Sequence, residues 1–261
     1  MKTLAKMFLA LTALAATSTW ADGKFDVGVG FEQFRWREYD SAGTQLLEEK
    51  GPRFVMHGHY EDWQPSGAVF GGQADLYFGS VDYDGQTQSG TPVQTDTDYS
   101  GVRLEGGGGY LWPVGNHGIG IIGSVGFDSW IRSLQDSRTS TGTFVYGYDE
   151  DWYTFYARLA AAWNYRDSVW QHRLRAGLKY PFYTENRVPD FGVTLEPKAG
   201  TSYFINWETH WTISPTVALG VALYHEYTRY KESDPEPSYV GLVYQPESRQ
   251  WVSGARFQMS F

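Results

Sequence analysis

The chain has 261 residues, a formal net charge of -9 at pH 7 and no cysteine. The acidic balance makes it a poor partner for nucleic acid, whose phosphates attract basic proteins. The absence of cysteine excludes disulfide bonds and thiolate metal sites. No internal repeat, low-complexity tract or proline-rich linker divides the sequence, which favours a single domain.

The first 21 residues have the pattern of a secretory signal peptide. Lys2 and Lys6 give a positive start, residues 7–16 are mostly apolar, and a small-x-small cleavage site ends at Ala21. The apolar run is too short to cross a bilayer as a helix, which needs roughly 20 residues. We therefore expect export of the chain, with a signal peptide at 1–21 and one domain at 22–261.

Most of the remaining chain alternates between apolar and polar residues, which is the period of a β-strand. In the first segment, Val27, Val29 and Phe31 lie on one face and Asp26 on the other. The phase slips at residues 32–33, which predicts a β-bulge. Ten segments show the alternation: 24–31, 52–61, 70–78, 102–112, 119–132, 153–165, 170–182, 203–211, 217–226 and 249–261.

The connections between these segments alternate between short and long. Short turns fall near 62–67, 113–117, 166–168 and 213–216, and longer connections fall near 39–50, 83–98, 133–150, 184–198 and 231–248. This pattern, with 17% aromatic residues and a mean hydropathy of only -0.44, is typical of a barrel whose strands expose alternate residues to lipid. The predicted fold class is all-β: a closed antiparallel transmembrane β-barrel of about ten strands, an up-and-down meander.

The last segment ends in mid-alternation on an aromatic residue. Its apolar face carries Trp251, Phe257, Met259 and Phe261. This segment resembles the closing strand of Gram-negative outer-membrane β-barrel proteins, a family that ends on an aromatic residue, usually Phe, which the assembly machinery recognises. The resemblance implies a monomer in the outer membrane, in contact with membrane lipid and lipopolysaccharide. It also implies that this strand is the assembly signal for the barrel-assembly machinery.

In such a barrel the polar faces of the strands meet in the lumen. Because ten strands lie near the size that side chains fill, and because buried charges need partners, we expect a packed structural network. The alternative is a narrow porin-like channel for small polar or anionic solutes, in which Arg173, Arg175 and Lys179 favour anions. The predicted lumen charge network is Asp75, Arg103, Glu105, Asp128, Arg132, Arg158, Arg173, Arg175, Lys179, Glu208, Glu226 and Arg256.

Two histidines are candidate metal ligands. His57 and His59 face the same way on one strand at a spacing of two, and imidazole suits Zn²⁺ or Cu²⁺. The competing interpretation is a pair of histidines within the polar network of the lumen. No cofactor is predicted.

The ten-stranded omptin proteases are the enzymatic relatives of such a barrel. In that family, acidic pairs and an Asp–His pair at the rim activate a water molecule. Asp82, Asp84, Asp96 and Asp98 lie at the ends of a long connection, but the connection at 184–198 contains no histidine. We therefore assign no catalytic residue and predict that the chain is not an enzyme, with an omptin-like rim protease as the second alternative after the channel. A soluble, exported, lipocalin-like binder is the alternative at the level of fold.

The long connections are acidic. We interpret the chain as a structural or surface-interaction protein whose loops bridge to lipopolysaccharide through divalent cations or adhere to a basic surface. The acidic residues assigned to these loops are Glu48, Glu49, Asp82, Asp84, Asp96, Asp98, Asp149, Glu150, Asp151, Glu232, Asp234 and Glu236.

Replacement of Phe261 by serine is expected to lower the amount of folded barrel in the outer membrane, because the terminal aromatic residue is lost. The measurement is the heat-modifiable band of the membrane fraction on a gel. An amount equal to that of the unmodified chain would contradict the assignment of the last strand as an assembly signal.

Overall fold

The computed structural model describes residues 23–62, 66–87 and 90–261. The predicted signal peptide, 1–21, lies outside these residues. Within the described part of the chain, no helix is long and apolar enough to cross a membrane. The structure there is almost entirely β, with one turn of 3₁₀ helix at Pro189–Phe191.

Ten long strands form the wall of a closed antiparallel barrel in meander order, so the predicted fold class and strand number are confirmed. Six further strands, each of two or three residues, lie within the connections. In chain order the strands are β1 (Gly23–Tyr39), β2 (Gln45–Asp62), β3 (Gly67–Gln86), β4 (Pro92–Val114), β5 (His117–Leu134), β6 (Ser137–Arg138), β7 (Phe144–Val145), β8 (Asp149–Arg166), β9 (Trp170–Val188), β10 (Val193–Leu195), β11 (Lys198–Ala199), β12 (Ser202–Ser214), β13 (Val217–Lys231), β14 (Glu236–Ser238), β15 (Gly241–Val243) and β16 (Glu247–Ser260).

The first and last strands close the barrel. β1 pairs with β16 in continuous antiparallel register over residues 26–39. Beyond that register, the N–H group of Phe261 donates to the carbonyl of Phe25 at 2.9 Å, and the N–H group of Phe25 donates back at 3.3 Å. The closed ladder therefore pairs the backbone groups of both terminal strands, which is what a hydrocarbon environment requires.

An apolar belt covers the outer wall. Exposed large apolar side chains include Phe31 on β1, Val125 on β5, Leu178 on β9 and Phe257 on β16. On one side the belt ends at the short turns, which we call the short-turn end. There it is bordered by aromatic side chains: Tyr110, Trp112, Trp163, Tyr165, Trp170 and Trp211. On the other side, which we call the long-loop end, outward residues become charged. A belt with these borders is typical of a wall that faces lipid.

The prediction of a bulge at residues 32–33 was wrong. The register of β1 runs unbroken through these positions against both neighbours, and its pairing with β2 shifts only between Glu38 and Tyr39. Instead, the polar and apolar faces of the strand change places where the strand leaves the apolar belt. Outward residues become polar, while Phe34 and Trp36 are buried in a lumen filled with aromatic side chains.

The wall strands also extend further towards the long-loop end than the sequence predicted. The connections expected near 39–50 and 83–98 are mostly strand, and only 40–44 and 87–91 join the long strands. The ladder therefore continues above the apolar belt. Backbone hydrogen bonds depend little on the polarity of the side chains, whereas the alternation pattern consists of that polarity.

The prediction that twelve acidic residues lie in loops was wrong for nine of them, which belong to wall strands. Only Glu232, Asp234 and Glu236 lie within a long connection. Glu49 and Glu150 point into the lumen and are buried, because each occupies an inward position of its extended strand.

Inside the wall, tyrosine rings lie on glycines of the neighbouring strand. Tyr156 is directly opposite Gly126, and Tyr77 is directly opposite Gly101. A Cβ atom at position 126 would lie only 2.3 Å from the Tyr156 ring. Glycine at these positions makes room for buried rings that cross the lumen.

The Gly126→Ala substitution is expected to destabilise the barrel by roughly 1–3 kcal/mol, because the added methyl group overpacks the buried Tyr156 ring. Gly106→Ala is the matched control, since the nearest atom to its Cβ would be 3.8 Å away. Urea unfolding in detergent micelles measures both. Equal midpoints for the two variants would contradict the packing role of Gly126.

Candidate functional site

The structure places all twelve residues of the predicted lumen network on the inner face and joins each to a partner of opposite charge. At mid-height, Asp75 accepts hydrogen bonds from three groups. His57 Nδ1 lies at 2.6 Å from its carboxylate, and Arg256 and Arg103 lie at 3.3 and 3.5 Å. Arg103 also contacts Asp128 at 3.3 Å. The charges of this set are paired with one another and buried.

A second set lies beside it in the lumen. Arg158 bridges Glu105, at 2.7 Å, and Glu226. Lys179 donates to Glu226 at 2.6 Å and to Thr228 at 3.4 Å. Two cations and two carboxylates balance here, so neither cation is free to attract a solute.

A third set lies nearer the short-turn end. Arg173 contacts Asp26 at 2.7 Å, Glu208 at 2.5 Å and Glu61 at 3.7 Å. Arg175 lies 3.5 Å from the same Glu61 carboxylate. The two arginines that could favour anions in a channel are thus held by carboxylates.

The only cluster in the described ranges with three candidate metal ligands close together is Asp26, Glu208 and His210. Their ligand atoms all lie within 4.8 Å of one another. The Arg173 guanidinium already contacts both carboxylates, so it supplies the positive charge that a metal ion would bring. These residues fit a buried ion-pair cluster better than a metal site.

The two histidines singled out from the sequence do not converge on a common ligand position. His57 Nδ1 is engaged by Asp75 at 2.6 Å, whereas His59 Nδ1 is engaged by Asp26 at 3.1 Å. Their rings are stacked with centroids 6.0 Å apart. Each imidazole therefore belongs to a different ion-pair set of the lumen.

A cavity of about 120 Å³ lies in the half of the lumen nearer the short-turn end. Glycines of β3 and β4 form one wall, and Arg173, Arg175 and Phe204 are among the other lining residues. Arg173, Arg175 and Glu208 therefore border open space in the lumen.

The other half of the lumen is filled by aromatic rings. Trp130 and Trp152 are stacked with centroids 5.3 Å apart, and Trp36 meets Trp152 edge-on at 5.2 Å. Tyr230 lies 5.8 Å from both Trp36 and Trp152. All four residues are at most 2% exposed, so they leave no water-filled passage between them.

A buried arginine continues this layer towards mid-height. The Arg53 guanidinium lies 4.1 Å from the Phe34 ring centroid and 4.5 Å from that of Tyr77. Its Nε donates to Glu32 at 2.9 Å, and the Tyr224 hydroxyl donates to the same carboxylate at 3.0 Å. Cation–π contacts and a satisfied ion pair hold this charge without solvent.

Around Arg132, three carboxylates surround a single cation. Its guanidinium lies 2.7 Å from Glu49, 2.9 Å from Glu150 and 3.6 Å from Glu38. The Trp36 indole N–H also donates to Glu38 at 2.9 Å. We use the name cap for these residues together with the aromatic layer: Phe34, Trp36, Glu38, Glu49, Arg53, Trp130, Arg132, Glu150, Trp152 and Tyr230.

The excess of carboxylates has a consequence for protonation. Burial raises the pKa of Glu38 to about 7; Arg132 opposes this shift, and the nearby Glu150 adds to it. The raised pKa means that the folded protein holds a proton that the unfolded chain releases above about pH 4.5.

The sequence pattern missed most of the cap. Arg132 was assigned to the lumen, but Glu49 and Glu150 were assigned to loops and Glu38 received no role. The inverted alternation of the extended strands is the signal that could have placed them, since Trp36 and Trp152 share their face with these glutamates.

The cap is expected to lose stability as pH rises from 4.5 to 7, because Glu38 must give up its proton inside the protein. The shift corresponds to roughly 3 kcal/mol at pH 8. Glu38→Gln keeps the acceptor for Trp36 and removes this loss. Thermal unfolding in micelles between pH 5 and pH 8 measures this loss of stability. The Glu236→Gln variant, which changes an exposed carboxylate, is the control. The same pH dependence in Glu38→Gln and the unmodified chain would contradict this role.

No protein-family model matches the chain, and no curated protein matches its sequence. The structure is similar to the outer-membrane protease OmpT of Escherichia coli, at 13% identity and a TM-score of 0.62, over 94% of this chain and 99% of OmpT. An outer-membrane channel of Pseudomonas putida F1 matches at 10% identity and a TM-score of 0.45, over 94% of this chain and 97% of that one. At such identities the similarity shows the fold alone. The chain therefore has the fold of the Gram-negative outer-membrane β-barrel proteins that its last strand resembles.

Proposed function

We propose that the chain is an integral protein of a Gram-negative outer membrane whose sealed barrel carries a surface for interaction, and that it is neither a channel nor a hydrolase. The observation that supports this function is the cap, in which packed rings and paired charges fill the lumen at the long-loop end. The apolar belt and the fold support the location. The signal pattern at 1–21 accounts for export.

The cap argues against conduction because a passage would require buried charges to separate. Arg53 and Arg132 are each 2% exposed or less. Breaking a buried pair by moving one partner leaves an uncompensated charge, which costs roughly 3–5 kcal/mol. The cavity near the short-turn end is thus a vestibule that ends below the cap.

The long-loop end is organised as a surface. Val188, Val193 and Leu195 form a small buried cluster, against which Phe191 of the same connection and Tyr148 and Val243 of two other connections pack. The Tyr239 N–H group donates to the Phe191 carbonyl at 3.0 Å, which ties the connection after β13 to the connection after β9. Several connections therefore hold one another in place.

This surface also presents apolar groups. Tyr146, Tyr239 and Leu242 are 79%, 84% and 76% exposed. Such side chains near an acidic rim suit a protein partner, since aromatic residues are enriched at interfaces. A structural role in the membrane requires no such exposure, so interaction is the favoured part of the proposal.

OmpT is a protease, but the site that proteolysis of its type needs is not assembled here. All six histidines of the chain lie in the described ranges, and none lines the opening at the long-loop end. His57, His59 and His210 lie in the lumen below the cap, and the other three lie on the outer wall. Asp82 and Asp96 face each other on the outer wall, where no imidazole can act as their base.

Planar-bilayer recordings of the refolded protein are expected to show no discrete conductance steps. A triple variant, Trp36→Ala with Trp130→Ala and Trp152→Ala, is expected to conduct, because it empties the aromatic layer of the cap. The matched control, Trp112→Ala with Trp170→Ala and Trp211→Ala, removes three lipid-facing rings and is expected to stay silent.

A heat-modifiable gel band must first show that each variant is folded. Reproducible steps from the unmodified protein would contradict the sealed barrel, whatever the triple variant does.

A further inference from the structure

A row of three arginines lies on the outer wall near the long-loop end. Arg37 on β1 is directly opposite Arg249 on β16, which is directly opposite Arg229 on β13. Side chains paired in this way have Cβ atoms roughly 5 Å apart. Like charges at this spacing repel each other, so the row is unfavourable unless anions neutralise it.

Three more cations extend the row, and we call the set the basic arc: Arg35, Arg37, Lys50, Arg229, Lys231 and Arg249. Two carboxylates lie among them. Glu48 contacts Arg37, Lys50 at 3.4 Å and Arg35 at 4.0 Å. Glu247 contacts Arg229 and, at 2.7 Å, Arg249. Six positive charges and these two negative charges give +4, and Asp82 on the neighbouring strand β3, directly opposite Lys50, lowers the local formal charge to +3.

The arc lies immediately above the apolar belt. Arg35 is directly opposite Trp251, which is directly opposite Tyr227. The Arg37 guanidinium lies 5.7 Å from the Trp251 ring centroid. Trp and Tyr favour the level of lipid headgroups, and Phe257, further down β16, is a fully lipid-facing belt residue at 72% exposure. The cations of the arc therefore face the headgroup layer.

The wall next to the arc has the opposite charge at this height, beginning with Asp82 on β3, which is directly opposite Lys50 of the arc. Asp82 on β3 is directly opposite Asp96 on β4, and Asp84, Asp98 and Asp149 are also exposed on outward faces. The chain as a whole is acidic, at -9. Six outward-facing cations are thus concentrated on four adjacent strands, β13, β16, β1 and β2, which indicates a local anionic partner.

We propose that the basic arc binds the phosphate groups of a phosphorylated glycolipid in the outer leaflet. The planar arginine fork matches phosphate oxygens with two parallel donors, and each cation near an anionic membrane surface adds attraction. A lipid is favoured over a protein because the arc adjoins the belt and its bordering aromatic residues. The inference rests on the proposed outer-membrane location, and it assigns lipopolysaccharide contact to this wall in place of the acidic residues.

The test titrates the folded protein in micelles with bisphosphorylated lipid A and with its dephosphorylated form, and reads binding by native mass spectrometry. The unmodified protein is expected to prefer the phosphorylated lipid. The triple variant Arg37→Gln with Arg229→Gln and Arg249→Gln is expected to bind the phosphorylated lipid at least about tenfold more weakly. Its affinity for the dephosphorylated lipid is expected to stay unchanged. The control, Arg138→Gln with Arg166→Gln and Arg187→Gln, removes three cations elsewhere and is expected to bind as the unmodified protein does.

A second variant covers the case in which the triple variant fails to fold. Glu48→Gln with Glu247→Gln makes the arc more positive and is expected to tighten binding of the phosphorylated lipid. Excess inorganic phosphate is expected to compete only weakly, because the lipid also contacts the belt.

Equal affinity of the unmodified protein for both lipids would overturn the proposal, as would a triple variant that changes only the oligomeric state, which would point to a second copy of the chain. Because conductance is not part of this test, a conducting barrel would overturn the sealed lumen and leave the lipid-binding result standing.

Discussion

The rest of the structure depends on the continuous ladder that joins the first strand to the last. Within the apolar belt no water is present to satisfy a free backbone group, so the wall has to close. Ten strands lie near the size at which side chains fill a barrel, so the lumen has to be packed by the residues of the inner faces. The charged and aromatic residues of the inner faces meet there, and they have to satisfy one another.

The two halves of the lumen meet this requirement in different ways. Near the short-turn end, Arg173 and its carboxylates surround a small cavity, so water can share in their solvation. Near the long-loop end, rings such as Trp152 exclude water. There a single cation, Arg132, contacts three carboxylates. The latter half is closely packed and holds more carboxylates than cations around Arg132, and the raised pKa of Glu38 makes its stability depend on pH.

The alternation of apolar and polar residues was sufficient to predict the wall, its closure and the inward position of residues such as Arg103 and Glu226. It failed where the environment changes along one strand: above the belt Phe34 faces inward and Arg35 outward, so the pattern inverts and resembles a bulge or a loop. The sequence also could not predict which charged residues pair in the lumen. The contact of Arg173 with Asp26, for example, joins residues far apart in sequence and depends on barrel shear. The sequence does not reveal the basic arc for the same reason, because the arc exists only when β13, β16, β1 and β2 lie side by side.

The extension of the ladder above the belt limits how another protein can recognise this one. Many partners bind by adding a strand of their own to an exposed sheet edge, which supplies main-chain hydrogen bonds in register. Where the β1, β2, β13 and β16 ladders remain paired on both sides, the wall offers no such edge. Recognition of this wall from outside must therefore use side chains, so specificity is set by the charge and aromatic pattern that each strand displays and can diverge without any change in the backbone.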